Sequence, residues 1–338
     1  MSTAESATST ATRRTPGLVP VTETMRTTER TEDYAADHPA TTGPSGPSGP
    51  YGQASEPVSG RASAARATWA FLRLLRSELG LTFRRPRNLA ILAVLAVVPV
   101  VVGLALRLVG GSDDGVGGIV QAVAGNSLML TFASFSFLVL LLMPVAVSVV
   151  AGDSIAGEAG GGTLRYLLAA PAGRTRLLAV KYLNAVVYAY AVTAVVALSA
   201  LLTGLALFPA GPVTLLSGTT IPMLDGLVRI AITVGYVGAG MAALAAIALT
   251  LSVFTEVSIG AIAGTVILVI VCQVLRAFPE LSSITPYLLP TKFTSFDAVL
   301  RSPIDTGALM DGLLTFGAYI LLSGTIAWAR FSGKDITS

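Results

Sequence analysis

Six long apolar runs, separated by polar connectors, constrain this chain more than any other feature. Each run approaches or exceeds the roughly twenty residues that a helix needs to cross a bilayer. The chain is 53% hydrophobic and only 12% charged, whereas soluble domains carry about 25% charged residues. The pattern predicts an all-α, polytopic membrane protein with six transmembrane helices, at residues 88–106, 127–151, 178–208, 227–254, 259–275 and 309–329.

Basic residues are distributed unevenly between the two ends of these runs. Twelve lie at the ends assigned to the cytoplasm and five at the opposite ends. Because cytoplasmic loops carry an excess of lysine and arginine, this bias predicts that both termini are cytoplasmic. The twelve are Arg66, Arg73, Arg76, Arg84, Arg85, Arg87, Arg165, Arg174, Arg176, Lys181, Arg330 and Lys334, and the five are Arg107, Arg229, Arg276, Lys292 and Arg301.

The N-terminal residues differ in composition from the rest of the chain. They are rich in Ser, Thr, Ala, Pro and Gly, and they contain the repeat GPSGPSGP. Such a segment has too little apolar surface to offset the entropy lost on ordering, and it lacks the apolar core of a secretory signal. We therefore predict a disordered cytoplasmic tail over residues 1–65 and one six-span domain over residues 66–338.

Residues 66–84 have the pattern of an amphipathic helix. An apolar stripe runs along one side, and arginines lie on the other. A basic amphipathic helix of this kind lies in the membrane interface and does not span it. The alternative is an ordinary cytoplasmic juxtamembrane segment. The stripe consists of Trp69, Leu72, Leu75, Leu79 and Phe83.

The polar connector at residues 152–181, between the second and third spans, contains most of the functional candidates. Asp153 and Glu158 lie in its first part, and three consecutive glycines after them predict a flexible break. Thr163 can then cap a short helix that Pro171 ends. The apolar face of that helix consists of Leu164, Leu167 and Leu168. The alternative is an ordinary cytoplasmic loop whose arginines only set the topology.

This connector resembles the one between the second and third spans of type-2 ATP-binding cassette (ABC) permeases. In that family it forms a cytoplasmic coupling helix that docks on a separate ATPase, and the segment 66–84 is similar to the family's elbow helix. The chain departs from the family at 159–161, where Ala and Gly replace charged residues. The matching residues are Gly152, Asp153, Gly157, Glu158, Gly162, Thr163, Leu164, Arg165, Leu167, Leu168, Ala169, Ala170, Pro171, Arg174 and Lys181.

The resemblance implies roles for the matched residues. Arg165 and Arg174 would be polar partners of the ATPase, and Glu158 would organise the connector by pairing with a nearby arginine. The docking surface itself would consist of Leu164, Leu167 and Leu168. The other positions assigned to coupling are Asp153, Thr163, Pro171 and Lys181.

Asn184 and Tyr188 are the candidates for lining a pathway through the third span. They share one face of a helix and are among the few polar residues in that run. For Tyr188 the alternative is an anchor at the membrane interface, which is the ordinary role of tyrosine in such helices. The spans are almost uncharged, which favours amphipathic or apolar cargo.

Several classes of function are excluded by what the sequence lacks. His38 is the single histidine, so HExxH zinc sites and histidine-based triads are absent. No P-loop motif occurs, so the chain cannot hydrolyse ATP by that mechanism. We therefore predict no catalytic or metal-binding residue and no cofactor in this chain, with Mg–ATP bound by a partner subunit. The net charge of +3 gives no indication of nucleic-acid binding.

These patterns together predict the non-catalytic permease subunit of an ABC exporter. It would act with a cytoplasmic ATPase and a second permease subunit, identical or related. Few lysines and abundant Ala, Gly and Val are typical of GC-rich bacterial genomes, so we place it in a bacterial cytoplasmic membrane. The alternatives are an ATP-independent secondary carrier or channel, and a membrane-anchored sensor or assembly protein.

Overall fold

The computed structural model describes residues 60–109, 126–162, 173–214 and 218–333, and these residues are mostly helical. The α-helices of this part are α1 (Gly60–Arg84), α2 (Pro86–Val109), α3 (Met129–Leu138), α4 (Leu142–Gly160), α5 (Arg174–Leu207), α6 (Met223–Phe254), α7 (Ser258–Arg276), α8 (Leu289–Phe293) and α9 (Thr306–Ser332). A two-stranded antiparallel ribbon, β1 (Val213–Thr214) and β2 (Thr220–Ile221), lies between α5 and α6. Three 3₁₀ turns flank α8, at Pro279–Leu281, Thr285–Tyr287 and Thr294–Leu300.

Six of these helices, α2, α4, α5, α6, α7 and α9, are long and apolar enough to cross a membrane. The prediction of an all-α architecture with six spans is therefore confirmed, and the helices indicate a multi-pass membrane protein. The first, fifth and sixth spans extend by one to three residues beyond both predicted ends, whereas the third and fourth begin four residues early and end within one residue of the prediction.

The second span differs from its prediction as one continuous helix over 127–151. The chain forms two helices, α3 and α4, with a break at 139–141. The cause is Pro144, which has no N–H to donate to the carbonyl of Leu140 and is tolerated only in the first turn of the new helix. Gln273 of α7 donates its side-chain amide to that freed carbonyl at 3.3 Å. α4 then continues to Gly160, beyond the predicted end at 151.

α6 is the central helix and packs against α4, α5, α7 and α9. Small residues make this possible, because they let helix backbones approach closely. A side chain at Gly238 would overlap the ring of Tyr190 on α5. The buried small residues of α6 are Gly226, Gly238, Gly240, Ala242, Ala243, Ala245, Ala246 and Ala248.

α1 precedes the first span and packs against α5 and α2. It begins at Gly60, six residues before the predicted start at 66, so the last residues of the predicted tail are helical. Arg85 separates it from α2, and Pro86 then occupies the first turn of α2, where a missing N–H has no cost. Residues 1–59, which hold the rest of the predicted tail, lie outside the described part of the chain.

Candidate functional site

A polar cavity of about 330 Å³ lies where α1, α2, α4 and α5 meet. It is formed by the end of α1, the start of α2, the end of α4 and the first half of α5. Gly161 also lines the cavity, one residue before the described part of the connector ends at Gly162. We call its charged and amide side chains the basal cluster, which consists of Glu78, Arg85, Arg87, Asn88, Asp153, Glu158, Lys181 and Asn184.

Asp153 of α4 joins that helix to the junction of α1 and α2. Its Oδ2 accepts hydrogen bonds from Arg85 Nη1 at 3.0 Å and from Arg87 Nη2 at 2.8 Å. The Asp153 side chain is 15% exposed, whereas the two arginines are half exposed. Solvent therefore screens the attraction in part, and the main effect of the pair is to fix the position of α4 against the junction.

Lys181 of α5 joins three helices through one ammonium group. Its Nζ lies 3.0 Å from Oε2 of Glu78 on α1 and also bonds Oε1 of Glu158 on α4. Lys181 is only 3% exposed, so its charge is separated from bulk water. An ammonium in this position requires partners of opposite charge, because desolvating an unpaired ion costs several kcal/mol.

Two buried amides complete the basal cluster. Asn88 donates to the backbone carbonyl of Thr82 at 2.9 Å, and Asn184 donates to the hydroxyl of Thr82 at the same distance. Tyr188 donates to the carbonyl of Asn88 at 3.4 Å and packs against the ring of Phe83. Tyr188 has no exposed surface in this conformation. A pathway-lining role for Asn184 and Tyr188 stays a prediction.

Two glycines of the connector motif lie within α4 and accommodate the basal cluster. At Gly152, a Cβ would lie 3.1 Å from the backbone nitrogen of Ile262, so glycine lets α4 and α7 approach closely. At Gly157, a Cβ would lie 2.5 Å from Oδ1 of Asp153, one turn earlier. The missing side chain of Gly157 therefore leaves room for the Asp153 carboxylate.

Two further glycines bound the middle of the connector. Gly162 and Gly173 both have a φ of 68°, a positive value that residues other than glycine rarely adopt. α4 thus ends at the first of the three consecutive glycines, and α5 begins directly after Gly173. The flexibility of this break stays a prediction. The residues between Gly162 and Gly173, which include the predicted Thr163, Leu164, Arg165, Leu167, Leu168 and Pro171, lie outside the described part of the chain.

Of the connector residues that the sequence singled out, the structure places Asp153, Glu158 and Lys181 in the basal cluster and Arg174 outside it. Glu158 pairs with Lys181, a partner that the sequence did not indicate, and the predicted pairing of Glu158 with an arginine stays a prediction. Lys181 lies two turns into α5, on the face that packs against α1 and α4, so its ammonium contacts a carboxylate from each of those helices. Arg174 donates from Nη1 to the carbonyl of Ser332 at 2.9 Å, at the last turn of α9, where exposed carbonyls attract a cation.

Sequence reasoning did not identify the contributions of α1 and α2 to the site. Glu78 was the available signal, because it is the single carboxylate among the basic residues of α1 and lies on the helix face opposite Arg73 and Arg84. A charge on that face predicts an internal partner. The identity of the partner, 103 positions away, follows only from the packing of α1 on α5.

Two comparisons with known proteins bear on this chain. The model of one family, described as a protein of unknown function (DUF2705), matches residues 116–337. The matched range includes α3 to α9 and the connector, whereas α1 and α2 precede it. No curated protein matches the chain. Among the described residues, no group of three or more His, Cys, Asp or Glu side chains could hold a metal ion.

Proposed function

The chain belongs to the DUF2705 family, whose function is unknown. From the pattern of its connector and the six apolar helices, we propose that it is the membrane-spanning permease subunit of an ABC exporter. The observation that supports this proposal most is the basal cluster. It fastens both helices that carry the connector, α4 and α5, to each other and to α1 and α2. A force applied to the connector would therefore move four helices together.

The attachment extends to the central helix α6. The hydroxyl of Ser252 accepts hydrogen bonds from the backbone N–H groups of Ile155 and Ala156, at 3.2 and 2.8 Å. These amides belong to the turn of α4 between Asp153 and Glu158. The end of α4 is thus held from two sides, which suits an element that transmits displacement and does not absorb it by bending.

In the proposed mechanism, a cytoplasmic ATPase docks on residues 163–172 through Leu164, Leu167 and Leu168. Arg165 and Arg174 contribute polar contacts. Binding of Mg–ATP by the partner brings two ATPase subunits together and favours one of two tilts of α4 and α5. This chain supplies no catalytic group. Its path is completed by a second permease subunit, and both termini lie in the cytoplasm of a bacterial cell.

α1 is the interfacial helix of this proposal. Trp69 and Leu72 are 70% and 50% exposed, and the other exposed residues between positions 68 and 80 are Thr68, Arg73, Arg76 and Ser77. Large apolar groups beside arginines, on a helix directly before a span, suit the boundary between lipid and water. α1 would then place Glu78 at the depth of Lys181 and align the ion pair.

The alternative, an ATP-independent carrier, has one observation in its favour. Lys181 and its two carboxylates form a buried ionisable group, and carriers driven by protons depend on such groups. The pair lies at the helix ends beside the connector, however, and not near the middle of the spans. This position suits a contact that transmits movement between helices better than a group that carries protons across the membrane.

A capture experiment tests the proposal. The tagged protein is isolated from gently solubilised membranes, co-purifying chains are identified, and ATP hydrolysis is measured. We expect a stoichiometric ATPase with the wild type and its loss with Leu167→Asp, because a carboxylate on the apolar docking face must be desolvated.

Ser302→Asp is the matched control, since it adds a carboxylate at an exposed position in the segment before α9. It should retain the ATPase. Normal ATPase association and transport in Leu167→Asp would show that the docking surface lies elsewhere. A wild-type sample without any ATPase would favour the carrier.

A further inference from the structure

Three arginines lie on the exposed face of α1, with small residues between them. Arg73, Arg76 and Arg84 are exposed and follow Trp69 at helical spacings of four, seven and fifteen residues, so all four share one face. Trp69 therefore does not lie opposite the arginines, as the predicted apolar stripe implied. Ser77 and Gly80 lie between them. These residues line an open groove of about 790 Å³. A Cβ at Gly80 would meet no atom within 4 Å, so the floor of the groove is accessible.

The charges of α1 are separated by sign. Glu78 is turned away from this face, is 13% exposed and is held by Lys181. The three arginines make no hydrogen bond or ion pair with any described residue. The neighbouring Arg85 and Arg87 are bound to Asp153 but remain about half exposed. The groove is therefore cationic, and among the described residues that line it there is no carboxylate.

Apolar side chains of α1 lie in the groove and beside it: Leu79, Leu81 and Phe83 line it, and Trp69 and Leu72 lie one helical turn before Arg73 and Arg76. Trp69, Leu72 and Leu81 are 70%, 50% and 57% exposed. A ligand in this place would contact both arginine side chains and hydrocarbon. That is the chemistry of a phospholipid with a negatively charged headgroup.

We propose that the arginine face of α1, consisting of Arg73, Arg76, Ser77, Gly80 and Arg84, binds anionic phospholipid headgroups. The phosphate lies over Gly80, where no side chain obstructs it, and the arginines donate to its oxygens. The acyl chains lie along the leucines at the border of the groove. This inference goes beyond the transport function and needs no ATPase, so the two can fail separately.

The fluorescence of Trp69 can be measured alone once Trp328 is replaced, because the chain has only two tryptophans. In a Trp328→Phe background, its fluorescence reports lipids next to the groove. The protein is reconstituted in phosphatidylcholine vesicles that contain a minor fraction of either brominated phosphatidylglycerol or brominated phosphatidylcholine. We expect stronger quenching by the anionic lipid. Each arginine near an anionic surface contributes about fivefold in affinity, and salt lowers the preference.

Three variants distinguish the effect of the arginine charges from the effect of the shape of the groove. Replacing Arg73, Arg76 and Arg84 together by Gln should make quenching by the two lipids equal, whereas replacing them by Lys should keep most of the preference. Gly80→Leu should reduce the preference without changing any charge, since it fills the floor of the groove. Arg107→Gln with Arg301→Gln is the control at distant exposed sites and should have no effect.

Two results would overturn the proposal. One is equal quenching of the wild type by the two lipids. It would show that α1 lies at a membrane but that its arginine face does not select the headgroup. The other is a preference that survives the triple Gln replacement, which would assign it to another surface. Quenching by neither lipid would show that the face is covered by a protein partner, and it would also reject the proposal.

Discussion

Lys181 is the residue whose surroundings are most sensitive to change. It is almost fully buried, and its ammonium lies between carboxylates from two other helices. Such an arrangement adds little net stability compared with an apolar substitute, because desolvation offsets the attraction. Removing one partner alone is different, since the remaining charges are left buried without compensation.

Lys181→Met should therefore destabilise the protein strongly. Two carboxylates that are only 13% and 23% exposed would lose their shared cation, at a cost of up to about 3–5 kcal/mol. The measurement is the thermal unfolding midpoint of the purified protein in detergent. The control is the triple variant Glu78→Gln, Lys181→Met, Glu158→Gln, which removes all three charges and should recover most of the lost stability. An unfolding midpoint of Lys181→Met equal to that of the wild type would contradict the ion-pair account.

α3 and α4 show how one residue changes an element. Pro144 ends the hydrogen-bonding pattern of the second apolar run, and Gln273 of α7 replaces the missing donor. The amide of Gln273 is oriented by Arg276, whose Nη1 donates to Gln273 Oε1 at 2.8 Å. Arg276 also reaches the carbonyl of Pro290 in α8 at 3.4 Å. The break is thus joined to the segment that follows α7.

Gln273→Leu should weaken this connection between α4 and α7. The carbonyl of Leu140 would lose its donor in an apolar environment, which costs about 1–3 kcal/mol. Unfolding in a denaturant series measures the loss. Pro144→Ala restores an N–H at the proline position, so the double variant should lose less stability than Gln273→Leu alone. Additive effects of the two changes would show that the carbonyl of Leu140 is not their common partner.

At the scale of the whole molecule, the six spans and their charge bias predict the orientation in the membrane. In the predicted topology, the start of α5 and the end of α9 face the cytoplasm, and the structure places them together through Arg174 and Ser332. The segment with α8 lies at the other end of the bundle. Arg229 of α6 fixes it by donating to the carbonyls of Val299 and Arg301.

Labelling of single cysteines tests this orientation. Cys272 is the single native cysteine, so Cys272→Ala gives a background without thiols. In intact cells, a membrane-impermeant maleimide should label Ser302→Cys, whereas Ser332→Cys should react only after lysis. Both positions are exposed on the protein, so a difference in labelling reports the side of the membrane. The reverse pattern would invert the topology.

Much of the element-level organisation could be predicted because it depends on local chemistry. Apolar length alone identified the spans, since every backbone polar group in lipid must be satisfied within a helix. The flexible glycines after α4 were equally visible, because left-handed conformations favour glycine. The break at Pro144 was less apparent: a proline predicts a kink, but a full interruption depends on whether another helix supplies a donor.

The sequence by itself thus determined an all-helical, six-span membrane protein and the position of its polar connector. Only the tertiary structure decided the partners of the charged residues. Asp153 and Glu158 were visible as candidates, but their distances in sequence from Arg85 and Lys181 are 68 and 23 residues. Which opposite charge neutralises a carboxylate depends on which helix faces meet, and helix packing arises from the fit of side chains across the whole bundle.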